Sequence, residues 1–115
     1  MYQYYTPVYS EEHFLSASEI AEKYGVYSVK GVPHGRLVKL LIANRLHEFH
    51  HAYQLPVYYE TSKGMMRVYS SAVYDEVLKD FIKASSLVKE ELKTIEMIDE
   101  NKKVNFKYKI NNNTK

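Results

Sequence analysis

A chain of 115 residues, with 45% hydrophobic and 26% charged residues, has the composition of one globular domain and leaves no room for a second independent core. It contains no cysteine, which excludes a disulfide framework, a cysteine-ligated zinc ion and a thiol nucleophile. The sequence shows no signal peptide and no apolar run long enough to cross a bilayer, so we expect a soluble, cytoplasmic protein that does not bind membranes.

The formal net charge of +2 is small, but the charges are distributed unevenly along the chain. Residues 1–29 carry a net charge of −3 and residues 30–70 a net charge of +4. Residues 71–100 carry −4 and residues 101–115 carry +5. Since a small total charge does not by itself indicate nucleic-acid binding, the two basic blocks are the segments in which we expect any phosphate-binding surface.

The clearest helix signal is a capping box. The side chain of Ser16 is placed to accept a hydrogen bond from the amide of Glu19, whose carboxylate can reach back to the amide of Ser16. The box predicts a helix over Ala17–Tyr24. Gly25 supplies the left-handed residue that ends this helix.

The next segment predicts a turn and a second helix. Residues 26–32 combine β-branched residues with Gly31 and are followed by Pro33, which favours the first position of a helix. The second helix is therefore expected from about Pro33. It has a broad apolar face and ends between Asn44 and His51.

Two β-prone segments, residues 57–60 and 65–69, are joined by residues 61–64 and predict a hairpin. Residues 71–100 place apolar side chains at helical spacing and predict a C-terminal helix with a break near Ser85. Residues 104–110 alternate apolar and polar side chains, which predicts a final strand.

The first two predicted helices have features of a helix-turn-helix. Ala21 provides a small residue where the helices touch, Gly25 turns the chain, and Val26 fills the core. Roughly six additional residues separate the helices compared with the usual spacing. The alternative is two short helices packed in an unrelated α+β domain. The order of helix, turn, basic helix, hairpin with a basic tip and further helix favours a winged helix-turn-helix.

The sequence LSASEIAEKYGV at residues 15–26 resembles the opening of helix-turn-helix segments in bacteriophage antirepressors and related phage regulatory proteins. The continuation YSVKGVPHGRLV at residues 27–38 is similar to a stretch in some small phage proteins. The resemblance implies a protein of a phage or mobile element that binds DNA or acts on a regulator.

Double-stranded DNA is therefore the expected partner, with the second helix in the major groove and the hairpin against phosphates or the minor groove. Contacts to base edges are expected from four residues of the second helix: His34, Arg36, Lys39 and Asn44. Phosphate contacts are expected from Lys30, Lys63 and Arg67.

The acidic segment over residues 71–100 has two interpretations. It is either a packed helix with a solvated face or a surface that pairs two chains into a homodimer on a symmetric operator. The second interpretation depends on three- and four-residue steps between Leu78, Phe81, Ser85, Val88, Leu92 and Ile95. The final strand either completes the sheet of the wing or crosses to a partner, and it would add phosphate contacts from Lys103, Lys107 and Lys109.

The segment His47-Glu48-Phe49-His50-His51 matches the HExxH pattern of zinc hydrolases. Arg45 just before it, Pro56 soon after it and the lack of a third ligand at a typical spacing argue against a zinc site. We therefore expect neither an enzyme nor a bound metal or cofactor, and we interpret the histidines as polar residues at a helix end.

The predicted fold class is α+β: a small winged helix-turn-helix domain over residues 1–100, with a C-terminal helix, followed by a basic strand and a frayed tail over residues 101–115. The predicted function is DNA binding that regulates transcription or DNA transactions. The alternative is a phage-encoded protein-interaction module that captures and inhibits a host or phage protein, such as a repressor, polymerase or defence nuclease. That interface would use the N-terminal tyrosines Tyr2, Tyr4, Tyr5 and Tyr9.

Overall fold

The computed structural model describes residues 14–45 and 57–111, and these ranges contain three helices and six strands. In chain order the elements are β1 (Phe14–Leu15), α1 (Ala17–Tyr24), β2 (Val26–Tyr27), α2 (Gly35–Arg45), β3 (Val57–Thr61), β4 (Gly64–Ser70), α3 (Ser71–Ser85), β5 (Lys93–Asp99) and β6 (Lys102–Ile110). The strands form two antiparallel sheets with the orders β1-β4-β3 and β2-β6-β5. The prediction of a small α+β fold is confirmed at this level.

Helix α1 has the predicted bounds because both of its ends are capped as the sequence indicates. The amide of Glu19 donates to Ser16 Oγ over 3.2 Å, and the amide of Ser16 donates to Glu19 Oε1 over 2.9 Å. Gly25 follows with φ of 72° and its N–H donates to the carbonyls of Ala21 and Glu22. Ala21 is fully buried, so the small residue stands where α1 packs against the rest of the core.

The residues between α1 and α2 form strand β2 and a closed loop rather than a simple turn. A β-bridge joins Tyr27 to Pro33, and the amide of Ser28 donates to the carbonyl of Val32 over 2.8 Å. Because Pro33 belongs to this bridge, α2 begins at Gly35 instead of at the proline. The additional residues of the predicted helix-turn-helix are thus accommodated by a loop that projects from the base of α2.

Helix α2 buries its whole apolar face in the core. Its described part ends at Arg45, and the predicted end between Asn44 and His51 otherwise lies outside the described residues. A β-carbon at Gly35 would lie 2.7 Å from Ser18 Oγ, so the first turn of α2 fits tightly against the first turn of α1. The buried apolar residues of α2 are Leu37, Val38, Leu40, Leu41 and Ile42.

The predicted hairpin is confirmed as β3 and β4. Its register pairs Val57 with Val68 at one end and Thr61 with Gly64 at the turn. Thr61 stabilises the turn, since its hydroxyl donates to the Gly64 carbonyl over 2.7 Å and accepts from the amide of Lys63 over 3.1 Å. The short strand β1 pairs with the end of β4, so this sheet is continuous with the entry into α1.

The predicted helix over residues 71–100 is correct only as far as Ser85, where α3 ends. Strand β5 follows a loop and pairs with β6, with Ile95 opposite Phe106. The two residues between the strands, Glu100 and Asn101, both have positive φ, as a tight two-residue hairpin turn requires. Ile95 satisfies both a helical and an alternating pattern, and pairing with β6 selects the strand.

The proposed pairing surface, which consists of five apolar residues and Ser85, does not exist as one helical face. Leu78, Phe81 and Ser85 are buried in the core of the chain itself. Val88 and Leu92 lie in the loop before β5, and Ile95 lies on that strand. The prediction of a continuous helical seam is therefore wrong.

The final strand is confirmed, and it is longer than predicted. It does not complete the sheet of the β3–β4 hairpin, which is a correction, but lies between β5 and β2. Its inward residues Phe106 and Tyr108 belong to the same core cluster as α1, α2 and α3. The hydroxyls of Tyr108 and Ser85 lie 2.8 Å apart inside this core. Over residues 14–45 and 57–111, none of the helices has the length and apolarity to cross a membrane.

Candidate nucleic-acid interface

One side of α2 is open to solvent. The helix has Arg36, Lys39 and Ala43 exposed, while its apolar residues face the core. Lys39 is three residues from Arg36 and four residues from Ala43, so the three side chains share one side of the helix. The exposed strip therefore combines two cations with one small residue, Ala43, beside which a partner can approach the helix closely.

His34 and Arg36 lie at the start of α2 against the C-terminal hairpin. The rings of His34 and Phe106 meet edge to face with centroids 5.6 Å apart. The Arg36 guanidinium lies 5.2 Å from the centroid of the same ring, and its Nη2 lies 3.3 Å from Asp99 Oδ2. Burial and then the charge of Arg36 lower the pKa of His34 below its usual value.

Asn44 is also turned toward the C-terminal hairpin. Its Nδ2 donates to the carbonyl of Leu40 over 2.7 Å and to the carbonyl of Ile98 over 3.3 Å. These bonds join α2 to β5 and occupy the amide donors that a contact with adenine would need. The structure thus brings three of the four predicted base-contact residues onto one hairpin, and Lys39 stands apart from them.

Lys30 lies at the tip of the loop that precedes α2. The loop is closed at its base, and the amide of Lys30 donates to Ser28 Oγ over 3.3 Å. The neighbouring side chains Val29 and Val32 are 50% and 55% exposed. The tip of this loop therefore exposes a cation together with two valines.

The two predicted basic residues of the β3–β4 hairpin differ in their surroundings. Lys63 is exposed at the turn. Arg67 is half-buried, its guanidinium lies 4.8 Å from the centroid of the Tyr69 ring, and its Nε is buried without a hydrogen-bond partner in the described part of the chain. Burial raises the pKa of Tyr69, and the charge of Arg67 opposes this rise. Arg67 thus packs against the sheet instead of extending from the tip.

The lysines predicted on one face of the last strand do share a face. Lys103, Lys107 and Lys109 alternate with the buried residues of β6, so they lie on the outer side of the C-terminal sheet. Tyr27 is opposite Lys109 in the register, and Lys103 Nζ lies 3.8 Å from Glu96 Oε2. This outer face adds a second group of cations to the molecule.

The HExxH segment at residues 47–51 and the N-terminal tyrosines lie outside the described residues. Within residues 14–45 and 57–111, no three His, Asp or Glu side chains are grouped so that they could hold a metal ion.

Neither the models of known protein families, nor the curated proteins, nor the solved structures include a match to this chain. Any assignment of function therefore depends on the placement of the surface residues described above.

Proposed function

We propose that the chain binds duplex DNA as a winged helix-turn-helix, with α2 as the recognition helix and the β3–β4 hairpin as the wing. The observation that carries the proposal is the position of Lys39 on the open side of α2, in a chain whose next hairpin has Lys63 exposed at its tip. Because the apolar residues of α2 are already buried in the core, its exposed strip is available to a partner.

The physical basis is the fit of a helix to the major groove, in which a lysine can donate to guanine O6 and N7. Lys39 supplies this contact, and the small side chain of Ala43 allows α2 to lie close to the base edges in the groove. Lys63 on the wing and Lys30 on the loop supply phosphate contacts, which position the protein without reading sequence. The proposed biological role is the one that the sequence resemblance implies, regulation of transcription or DNA transactions in a phage or mobile element.

The test is fluorescence anisotropy at about 50 and 200 mM salt with two ligands, random duplex DNA and a site that the wild-type protein selects from a random library. The wild-type protein is compared with Lys39→Ala and Lys63→Ala. Loss of one phosphate contact is expected to lower the slope of log affinity against log salt by about 0.9. Lys89→Ala is the matched control, because this lysine is exposed on the loop between α3 and β5, next to Glu90 and Glu91.

We expect Lys63→Ala to weaken binding to all sequences and Lys39→Ala to reduce discrimination between sequences by about 1–3 kcal/mol. If both variants bind as tightly as the wild-type protein, α2 and the wing do not contact DNA. Equal losses in all three variants would indicate a general charge effect and would also contradict the proposed surface.

A second function, capture of a protein partner, is favoured by one observation, the exposure of Val29 and Val32 at the tip of a closed loop. Under this alternative, a Val29→Ser and Val32→Ser double variant loses the protein partner. Random duplex DNA would then fail to bind the wild-type protein even at low salt.

A further inference from the structure

A cleft of about 400 Å³ lies between the end of α1, one side of α3 and the end of β6. Three lysines line it, Lys23 from α1 and Lys79 and Lys83 from α3. Its other walls include Tyr24, Ile82 and Ile110. We call this site the basic cleft. None of its lysines belongs to α2, the wing or the outer face of the C-terminal sheet.

The positive charge of the basic cleft is only partly neutralised by the protein. Lys23 Nζ lies 3.9 Å from Asp75 Oδ1, and the same carboxylate accepts a hydrogen bond from the hydroxyl of Tyr24. In the described part of the chain, no carboxylate lies within 4 Å of the ammonium groups of Lys79 and Lys83. Ion pairing within 4 Å therefore involves one of the three ammonium groups, and Asp75, Glu76 and Asp80 lie near Lys79 on the adjoining side of α3. A bound anion would supply close partners for the ammonium groups of Lys79 and Lys83.

The spacing of Lys79 and Lys83 on α3 also favours binding of an anion. Lys79 and Lys83 are four residues apart, so both extend over one side of the helix, where like charges destabilise each other. The cleft brings a third cation, Lys23, from a different helix. A ligand with two or more negative charges would convert this repulsion into attraction.

The walls of the basic cleft favour an organic anion over an inorganic one. Ile82 and Ile110 are partly buried hydrophobic residues that pack against the core, and the ring of Tyr24 is half-buried beside them. The cleft is open to solvent, and its volume of about 400 Å³ is large enough to admit a small molecule. The hydroxyl of Tyr24 is bonded to Asp75, which holds the ring in place as part of the wall.

We propose that the basic cleft binds a small organic phosphate of the size of a nucleotide. The phosphates lie among Lys23, Lys79 and Lys83, and the apolar part of the ligand lies against Ile82 and Ile110. A DNA backbone also carries phosphates, but the bases of a duplex are stacked inside it, so it has no free base to place against such walls beside a phosphate. The proposal does not depend on the proposed DNA-binding function, because it uses different residues and a different ligand.

The experiment is isothermal titration calorimetry of the full chain with ADP, pyrophosphate and adenosine at low salt. We expect ADP to bind more tightly than pyrophosphate and adenosine to give no measurable binding. The double variant Lys79→Ala and Lys83→Ala is expected to lower the affinity for ADP at least about tenfold, since two charge-assisted contacts are removed. Lys89→Ala is the matched control and is expected to bind ADP as the wild-type protein does.

The location of binding is checked by NMR, in which ADP should shift the amide signals of Asn111 and Lys83 more than those of Lys63. Absence of ADP binding at millimolar concentration, or equal affinity in the double variant and the wild-type protein, would overturn the proposal. Equal affinity for pyrophosphate and ADP would overturn the role of the apolar walls. If the double variant loses duplex DNA instead of ADP, the lysines serve a nucleic-acid backbone and the small-molecule site does not exist.

Discussion

Arg36 Nη2 lies 3.3 Å from Asp99 Oδ2, and this ion pair joins the proposed recognition helix to the C-terminal hairpin. The side chains of the two residues are 62% and 31% exposed. An ion pair at such an exposed position stabilises a protein by only about 0–1 kcal/mol, so a DNA phosphate can compete with it. Under the proposed function, Arg36 must break its ion pair with Asp99 before it can contact DNA. Lys39 has no ion pair to break within the described residues.

Asp99→Asn is expected to tighten the binding of duplex DNA several-fold, because it releases the Arg36 guanidinium and removes a negative charge beside α2. The slope of log affinity against log salt should become steeper by up to about 0.9, the value for one additional phosphate contact. Fluorescence anisotropy over a salt series measures both effects.

Glu100→Gln is the control for that variant, since it removes the same charge from the next residue, for which no ion pair is found in the described ranges. A gain that is equal in the two variants would show that only the total charge matters. No gain in Asp99→Asn would show that Arg36 does not contact DNA.

Gly25→Ala is expected to destabilise the protein by more than about 1 kcal/mol. Gly25 has φ of 72°, and a β-carbon there would lie 2.6 Å from the carbonyl oxygen of Asn111. Gly31→Ala is the matched control, because Gly31 has φ of 86° but no atom within 4 Å of an added β-carbon. Urea unfolding measures the difference, which isolates the clash with Asn111. Equal losses of unfolding free energy in the two variants would mean that the backbone of Asn111 does not pack against Gly25.

Ser85→Ala is expected to cost about 1–3 kcal/mol of unfolding free energy, because the buried hydroxyl of Tyr108 loses its partner. Tyr108→Phe should cost less, since the hydroxyl of Ser85 can turn to a carbonyl of the preceding helical turn. The ring contact of Tyr108 with Phe81, at 5.0 Å between centroids, remains in both variants. A negligible loss in Ser85→Ala, measured by urea unfolding, would show that this bond does not stabilise the contact between α3 and β6.

His34 gives a prediction for pH. Its pKa in the folded protein lies below the usual value of 6.5, so the folded state takes up the proton less readily than the unfolded state. Its contribution to stability is therefore fully present above pH 6.5 and decreases as the pH falls through 6.5 toward the lower pKa of the folded state. His34→Gln should make the unfolding free energy less dependent on pH between about 5 and 7.5. Urea unfolding at several pH values tests this, and parallel curves for variant and wild type would contradict it.

The elements that sequence analysis predicted correctly are those with local signals. The capping residues of α1, the turn residues before Gly64 and the alternation of β6 each act over a few neighbouring positions. Strand β5 was missed because the spacing of Leu92 and Ile95 continues the pattern of α3. Its hairpin turn has no glycine, although the outward and inward positions around Ile95 and Met97 do alternate.

The surroundings of the candidate site could be predicted only in part. The exposure of Lys39 and Lys63 follows from the helical period and the hairpin turn. The contacts of Arg36 with Asp99 and of Asn44 with Ile98 join residues from opposite halves of the chain. No pattern within α2 contains that information, because strand β5, which supplies Asp99 and Ile98, was itself predicted as part of a helix.

The pairing of β2 with β6 joins two segments that the ribosome synthesises far apart in time. The amide of Asn111 donates to the carbonyl of Gly25 over 2.7 Å, and Val26 pairs with Ile110. The ribosome therefore releases both helices of the proposed DNA-binding unit well before the strand that fixes the segment between them. Contacts so distant in sequence are slow to form, since the intervening chain must be closed into a loop first. Until β6 has emerged, a nascent chain lacks both the partner of β2 and the side chains of Phe106 and Tyr108 that complete the shared core.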